Sequence, residues 1–259
     1  MLDLKNIEAF YPEKLRIFKR NILREYLQYL IIETIFNSKL ANKLAFMGGT
    51  AIHLLYNSQR FSEDLDFDIF NITENEFILL SREIEKRLFM EGYKVEIKNT
   101  FKDAYHCYIN FLDILYESSI SNHKNEKLLI QIDAQSQGIK YIPDKPLINK
   151  FDVFTQITAV PVDILLAQKV YAIINRKRAL GRDFYDAIFL FSMTKPNLHY
   201  LEKKMGIKNG KEIKAIIMDR LTNINFLKLA DDIKPFLFNP EEASKIKLFP
   251  QYIKQSNIW

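Results

Sequence analysis

Two carboxylates, Asp64 and Asp66, lie one residue apart in a run where apolar residues alternate with them. Successive side chains of a β-strand point to opposite faces, so this spacing predicts a strand with Leu65 and Phe67 in a core and the acids on the other face. Carboxylates that share a face repel one another, and a divalent cation relieves the repulsion because hard cations prefer oxygen ligands. The spacing therefore predicts a metal site at Asp64 and Asp66, with Asp68 left at the surface.

A diglycine, Gly48-Gly49, precedes these carboxylates and is followed by Thr50. Glycine lets a backbone approach a ligand closely, and a helix N-terminus is electropositive, so a glycine turn that opens a helix can hold phosphate. A diglycine alone is a weak signal. Followed by an Asp-x-Asp strand, it predicts a phosphate cradle beside a carboxylate pair, which would suit a nuclease, a phosphatase or a nucleotidyltransferase.

Asp133 lies near the end of an apolar run that starts at Leu128 and is typical of a strand. No other side chain in that run is a metal ligand, so Asp133 is the natural third carboxylate of a two-metal site. Two such ions can activate an attacking hydroxyl and stabilise the leaving oxygen of an in-line phosphoryl displacement. Nucleotidyl transfer is a displacement of this kind. The structural alternative for Asp133 is a turn cap at the strand end.

A second group of charged residues lies in the C-terminal half of the chain. Lys169 and Arg176 are seven residues apart and so share one face of a predicted helix. Arg182, Asp183 and Asp186 follow at the start of the next predicted helix. Arginine and lysine neutralise the phosphates of nucleotides and nucleic acids. The group predicts a site for a triphosphate or an RNA, with a helix-start ion pair as the alternative for Arg182 and Asp183.

Composition sets broad limits on the function. The net charge of +5 over 259 residues is compatible with a polyanionic partner, although the basic run 176–178 is first interpreted as a solvated surface. The lone Cys107 excludes an intramolecular disulfide and a cysteine-based zinc site, and the four histidines show no metal-like spacing. We expect no signal peptide or membrane span, because the longest apolar patch, 29–36, is broken by Glu33, and we expect a cytoplasmic protein.

Hydrophobic periodicity predicts the elements that would position these residues. Spacings of three and four predict helix in the first forty residues, and Thr73 with Glu76 has the pattern of a capping box that opens a helix ending near Gly92. The alternation of segments predicts an α/β sheet with helical cover. The predicted segments are a strand at 44–47, a helix at 50–56, a strand at 64–70, a helix at 73–90 and strands at 93–97, 105–112 and 127–135.

The pattern changes after Pro161 to helices alone. These are predicted at 162–179, 182–193, 197–205 and 211–221, with a short one from Pro240. The segment 137–152, which contains Pro143 and Pro146, is predicted to be a connector. We therefore predict an α/β domain over residues 1–155 and a helical domain over residues 156–259.

The two charged blocks together resemble the nucleotidyltransferase AbiEii/AbiGii toxin family, a branch of the polymerase-β-like nucleotidyltransferase superfamily. The resemblance spans roughly residues 40 to 195. It is carried by Gly48-Gly49-Thr50-Ala51, by Arg60-Phe-Ser62-Glu-Asp64-Leu-Asp66-Phe67, and by Lys169 with Arg182-Asp183-Phe-Tyr-Asp186. Two departures are Gly49, where many nucleotidyltransferases have serine, and a spacing to Asp64 about one residue longer than is usual.

The resemblance implies a minimal nucleotidyltransferase-like mixed sheet followed by a helical C-terminal domain. It also implies a toxin of a bacterial toxin–antitoxin or abortive-infection system, with a cognate antitoxin as partner. Some members of the family transfer nucleotides to the 3′ end of tRNA. We therefore expect an NTP substrate, a tRNA acceptor and Mg²⁺, or Mn²⁺ in its place.

Site roles follow from the same resemblance. Asp64 and Asp66 would be metal ligands, and the turn Gly48-Gly49-Thr50 would contact the triphosphate. Lys169 and one aspartate of the pair Asp183 and Asp186, which the sequence does not rank, would complete the site with Arg182 beside them.

Arg60 and Ser62 would contact the nucleotide or buttress the site, the alternative being a turn residue and a local cap. Two other functions remain open. One is modification of a protein, such as adenylylation of a hydroxyl, and the other is a nucleotide- or RNA-binding module without catalysis.

Overall fold

The computed structural model describes residues 2–256, which form two compact units. The first unit consists of the chain up to Leu55, Phe61–Gly138 and Pro143–Ala159. The second consists of Tyr56–Arg60, Ile139–Ile142 and the chain from Val160 onward. Two short segments that precede residue 143 thus belong to the unit that is otherwise C-terminal.

The first unit combines helices with β-strands. Its helices are α1 (Leu4–Glu8), α2 (Lys19–Phe36), α3 (Gly48–Tyr56), α4 (Glu74–Met90) and α5 (Ile114–Glu117). Its strands are β1 (Leu44–Met47), β2 (Leu65–Ile69), β3 (Val95–Phe101), β4 (Tyr105–Phe111), β5 (Leu128–Ala134), β6 (Leu147–Lys150) and β7 (Val153–Gln156).

Among the described residues, β1 to β5 form a five-stranded sheet in the order β1-β2-β5-β4-β3. β2 and β5 run parallel and the other neighbouring strands run antiparallel, so the sheet is mixed. The predicted α/β fold class is therefore confirmed. Phe46 of β1 and Phe67 of β2 lie with ring centroids 5.4 Å apart, and both are fully buried. Aromatic packing of this kind anchors the strand that carries the acidic pair.

The central helix α2 is buried along most of its length, with thirteen of its 18 residues buried. Three of the buried residues are polar or charged: Arg24, Glu25 and Gln28. Such groups are seldom buried without partners, and their partners are described below. The break between α1 and α2 falls at Pro12, which starts a short 3₁₀ turn, so the predicted N-terminal helix is two helices.

Local signals in the sequence set the ends of α4. Thr73 and Glu76 form the predicted capping box, with the Thr73 hydroxyl accepting from the Glu76 amide at 3.2 Å. Gly92 follows the helix with a φ of +89°, the left-handed conformation that is typical of a glycine after a helix C-terminus, so the predicted helix end is confirmed. The hairpin β6–β7 lies partly in the segment predicted to be a connector. Its strands have four residues each and follow Pro143 and Pro146, so no alternating pattern was long enough to mark them.

The second unit is helical. Its helices are α6 (Val162–Asn175), α7 (Gly181–Phe191), α8 (Leu198–Met205), α9 (Gly210–Leu221), α10 (Phe226–Ile233) and α11 (Phe249–Gln255). α6 ends four residues before the predicted boundary because Arg176 adopts an extended conformation. The helix predicted from Pro240 is a 3₁₀ helix, Pro240–Leu248. Within residues 2–256, no helix has both the length and the hydropathy needed to cross a membrane.

Candidate active site

The acidic pair lies where β2 begins. Asp64 immediately precedes β2 and Asp66 is its second residue. Leu65 and Phe67 are fully buried, whereas Asp64 and Asp66 are half-buried, so the alternation predicted from the sequence holds over these four positions. The pair is therefore accessible from outside the core.

Asp68 differs from the prediction. It is 1% exposed and does not lie at the surface. One carboxylate oxygen, Oδ1, accepts a hydrogen bond of 2.7 Å from the backbone amide of Gln137. Asp68 thus fastens the segment after β5 to β2, a structural role that the sequence pattern did not reveal.

The glycine turn lies directly against the acidic strand. β1 pairs antiparallel with β2 so that Met47 faces Asp66, and α3 starts at the next residue, Gly48. Gly48 has a φ of +78°, and a Cβ at this position would lie 2.0 Å from Oδ2 of Asp66. Only a residue without a side chain allows this approach. The structure therefore brings together the diglycine and the carboxylate that the sequence paired.

Thr50 connects α3 to the start of the acidic strand. Its side chain is fully buried, and its hydroxyl donates a hydrogen bond to the backbone carbonyl of Asp64. Gly49 beside it is buried as well. Contacts from these two residues to a triphosphate stay a prediction.

Gly48→Ala should lower the rate of nucleotide transfer for two reasons: it strains the backbone, and its methyl group overlaps Asp66. The second effect should be the larger. A non-glycine residue at this φ costs on the order of 1 kcal/mol, and the new methyl group would also overlap Asp66. Gly138→Ala is the matched control, because Gly138 has a φ of +68° and a methyl group added there would meet nothing within 4 Å. Transfer of label from an NTP should fall at least tenfold further in Gly48→Ala than in Gly138→Ala; equal losses would show that the contact with Asp66 does not matter.

Asp133 lies beside Asp66 in the sheet. The two are direct partners in the parallel pair β2–β5. Oδ1 of Asp133 accepts a hydrogen bond of 2.6 Å from Nε2 of Gln131 and lies 2.6 Å from Nδ1 of His106. In the described part of the chain, no group of three or more His, Cys, Asp or Glu residues is arranged to hold a metal ion. The role of Asp133 as third metal ligand stays a prediction.

The spacing of the histidines in the sequence predicts no role for His106. His106 faces Asp133 because β4 pairs antiparallel with β5 in the register that sets these two residues opposite each other. No motif spacing encodes that register.

Helix α2 holds the segment that leads into the acidic strand. Nε2 of Gln28 donates to the backbone carbonyls of Ser62 and Glu63, at 3.1 and 2.9 Å. Nη1 of Arg24 lies 2.8 Å from Oε1 of Glu63. The peptide groups on both sides of Glu63 are thus held just before Asp64, and Ser62 itself is half-buried.

A buried ionic cluster supports α3 from within the first unit. Glu25 of α2 is 2% exposed; its two carboxylate oxygens lie 2.8 Å from Nε2 of His53 and 2.6 Å from Nζ of Lys150. Burial by itself raises the pKa of Glu25, but the hydrogen bonds and charges of His53 and Lys150 outweigh it and lower the pKa to about 2. His53 lies one turn beyond Thr50, so the cluster ties the helix of the glycine turn to α2.

The stabilisation from Glu25 should disappear in acid. Its pKa is lower in the folded chain, about 2, than its ordinary 4.5, so the contribution is complete above 4.5 and is lost as the pH falls towards 2. At about 1.4 kcal/mol per pKa unit, the contribution is roughly 3 kcal/mol. Denaturant unfolding of wild type and Glu25→Gln should therefore show a difference in unfolding free energy that is large at pH 6 and shrinks by pH 3. A difference independent of pH would contradict this.

The second unit contains the other charged block. Arg60 binds Asp186 through two hydrogen bonds, Nε to Oδ1 at 2.6 Å and Nη2 to Oδ2 at 2.7 Å, and both side chains are almost fully buried. Burial opposes ionisation of Asp186, but the charges of Arg60 and Lys169 outweigh it and hold the pKa of this carboxyl below its ordinary value. A bidentate pair of this kind is rigid. The geometry favours the buttressing alternative for Arg60.

Lys169 lies between the two aspartates of the block. Its Nζ is 2.9 Å from Oδ2 of Asp186 and 3.5 Å from Oδ1 of Asp183. Asp183 is 1% exposed, and its Oδ2 lies 3.1 Å from Nε of Arg176 without the geometry of a hydrogen bond. Arg182 is exposed at the start of α7. The second unit thus brings together Arg60, Lys169, Asp183 and Asp186, of which Asp186 has both oxygens hydrogen-bonded.

Solved structures share this fold. The crystal structure of JHP933 from Helicobacter pylori is 15% identical, with a TM-score of 0.54, and the alignment covers 90% of this chain and 91% of that one. A proposed nucleotidyltransferase from H. pylori is 18% identical, with a TM-score of 0.50, over 90% and 93% of the two chains. A search among curated proteins found no match.

The family model described as "Nucleotidyl transferase AbiEii toxin, Type IV TA system" matches residues 30–246. The match includes the glycine turn, the acidic strand and the charged block of the second unit. Because the family model covers most of its length, the chain belongs to the AbiEii family of nucleotidyltransferase toxins.

Proposed function

We propose that this protein transfers a nucleoside monophosphate from an NTP to the 3′ end of a tRNA, in the cytoplasm, as the toxin of a toxin–antitoxin pair. The observation that carries the proposal is the contact of Gly48 with Asp66, where a Cβ would lie 2.0 Å from the carboxylate. This contact sets a phosphate-binding type of turn beside an accessible acidic pair. Nucleotidyl transfer needs both, because the reacting phosphate must meet a carboxylate-bound cation.

The acidic pair fits a hard divalent cation. Asp64 and Asp66 are half-buried, and carboxylate oxygens are the ligands that Mg²⁺ prefers. They would hold Mg²⁺, with Mn²⁺ as the alternative. Asp133 on the adjacent strand would become the third ligand only by turning its carboxylate away from His106 and Gln131, because the described residues hold no group of three such side chains already arranged around an ion. A bound divalent cation would supply charge neutralisation at the phosphates and a lower pKa for the attacking hydroxyl.

The remaining roles belong to the chain's own groups. The backbone amides at Gly48 and Gly49 bind the triphosphate at the start of α3. Within the second unit, Lys169 would neutralise phosphate charge. Asp183 is the aspartate of this block that keeps an oxygen, Oδ2, without a hydrogen bond, because both oxygens of Asp186 are already hydrogen-bonded. Arg60 and Asp186 keep Lys169 and Asp183 in place.

Label transfer tests the proposal. The purified protein is incubated with Mg²⁺, a cell extract and each α-³²P-labelled NTP in turn, with EDTA as the control. The expected result is a labelled species of tRNA size that RNase removes and protease does not. A labelled band that survives RNase and disappears with protease would replace tRNA by a protein acceptor, as in adenylylation. NTP binding without any transfer would instead support a binding module.

An antitoxin partner follows from membership of a type IV toxin–antitoxin family. Co-expression with the neighbouring reading frame should relieve growth arrest caused by the toxin. Growth arrest that no neighbouring frame relieves would count against a linked antitoxin.

A further inference from the structure

We infer that a basic pocket in the second unit binds the phosphate backbone of RNA. The inference rests on the proposed function, since it concerns how the acceptor is held. Residues 160–259 carry 17 basic and 10 acidic side chains, whereas residues 1–159 carry 20 basic and 22 acidic ones. The positive charge of the chain is therefore concentrated in its C-terminal part, where it would attract a polyanion.

The pocket lies between the loop after α6 and the loop that joins α9 to α10. Its basic and amide lining consists of Lys177, Arg178, Arg220, Lys228, Asn223 and Asn225. The acidic side chain in the lining is Asp232, whose Oδ2 lies 3.4 Å from Nη2 of Arg178. This pair is mostly exposed, with 71% of the Arg178 side chain accessible, so it is weak and leaves Arg178 able to bind phosphate.

Arg220 holds the basic loop in place. Its Nη2 donates to the backbone carbonyls of Arg176 and Lys177, at 2.6 and 3.4 Å. These bonds fix the backbone of the loop, so that the exposed side chains of Lys177 and Arg178 are presented on an ordered segment. An ordered backbone lowers the entropy lost when the side chains bind a ligand.

The opposite wall of the pocket also favours an anion. Asn225 caps α10, and its side-chain oxygen accepts from the amide of Lys228 at 3.0 Å. Asn225 and Lys228 both line the pocket, so the first turn of α10, the electropositive end of this helix, lies at its wall.

The size of the pocket indicates what kind of phosphate it takes. Its volume is about 270 Å³, below the roughly 300 to 1,000 Å³ of sites that enclose a whole small molecule. The apolar side chains in its lining are Ala179, Ile224 and Leu229, none of which is a flat ring that could stack on a base. A backbone segment of a longer polyanion fits these features better than a free nucleotide does.

RNA binding without NTP tests the inference. The wild-type chain, Lys177→Ala/Arg178→Ala and the control Lys208→Ala/Lys211→Ala are titrated into a fluorescent tRNA at several salt concentrations. Lys208 and Lys211 are exposed basic residues at the opposite end of α9 from the pocket. The pocket variant should bind on the order of tenfold more weakly, and the slope of log Kd against log salt should fall by about 1.4 to 1.8, for two lost phosphate contacts. The control should match wild type, and thermal melts should show all three chains folded.

Several outcomes would overturn the inference. In the first, the pocket variant binds tRNA as tightly as wild type does. In the second, the control loses as much tRNA affinity as the pocket variant. In the third, ATP or inorganic phosphate displaces tRNA as effectively as unlabelled RNA does. The last would mean that the pocket holds a free phosphate compound. Loss of antitoxin binding in the pocket variant, with tRNA binding intact, would assign the pocket to an acidic protein.

The inference and the proposed function can fail separately. If wild type transfers label to tRNA but the pocket variant binds tRNA normally, the inference about the pocket is wrong and the proposed function is supported. If no label is transferred but the pocket variant loses tRNA binding, the pocket does bind RNA and the proposed function is wrong.

Discussion

Asp66→Asn should reduce label transfer from an α-³²P-labelled NTP by on the order of a thousandfold, equivalent to about 4 kcal/mol in the barrier. Asparagine has the shape of aspartate, so the close packing against Gly48 is kept while the negative charge is lost. Asp64, with Asp133 as the proposed third ligand, would then have to hold a divalent cation without the Asp66 carboxylate. The measurement is the initial rate of labelling at saturating Mg²⁺ and NTP.

The control for this variant is Asp103→Asn. Asp103 is exposed in the turn between β3 and β4, so its charge can be removed without changing the acidic strand. This variant should label the acceptor at the wild-type rate, and both variants should melt within a few degrees of wild type. Asp66→Asn with full activity would rule out the proposed catalytic role of the acidic pair.

Arg60→Ala should lower the free energy of unfolding by about 3 to 5 kcal/mol, the usual effect of removing one partner from a buried ion pair. Asp186 is fully buried and would keep only Lys169 as a cationic partner. The low pKa of Asp186 shows that the folded state favours its ionised form. Equilibrium unfolding in denaturant at pH 7 measures the effect.

Two further variants sharpen this test. Arg60→Lys keeps a positive charge but cannot form the two parallel hydrogen bonds, so its loss of stability should be intermediate. Arg182→Ala removes an exposed arginine close to the same block and should change stability by less than about 0.5 kcal/mol. A loss in Arg60→Ala no larger than in Arg182→Ala would show that the buried pair does not stabilise the unit.

The local parts of this structure could be predicted from the sequence. The alternation at 64–67 and the capping box of Thr73 and Glu76 depend on neighbours within a few residues, and both are present. The diglycine motif also led correctly to the contact between Gly48 and the acidic strand. These features have strong local signals, because side-chain direction and cap geometry repeat with fixed periods.

The features that were missed depend on contacts distant in sequence. His106 reaches Asp133 through the register of β4 and β5, and Arg60 reaches Asp186 across 126 residues. Gln28 and Arg24 hold the backbone before Asp64 from a helix whose sequence is typical of a core helix. The prediction of a surface position for Asp68 was wrong because strand alternation gives the face of a residue and not what covers it.

The segment 56–60 has a consequence for synthesis of the chain. It belongs to the second unit, where Arg60 binds Asp186 and the carbonyl of Gln59 accepts from the amide of Phe238 at 3.0 Å. A ribosome adds about 5 to 20 residues per second, so Asp186 is made roughly 6 to 25 s after Arg60, and Phe238 later still.

During that interval Arg60 is made but its buried partner is not, and the segment 56–60 stays without the unit to which it belongs. The contacts of this segment are therefore complete only after Phe238 has left the ribosome. A nascent chain that stops before Asp186 therefore lacks both the buried pair and the charged block.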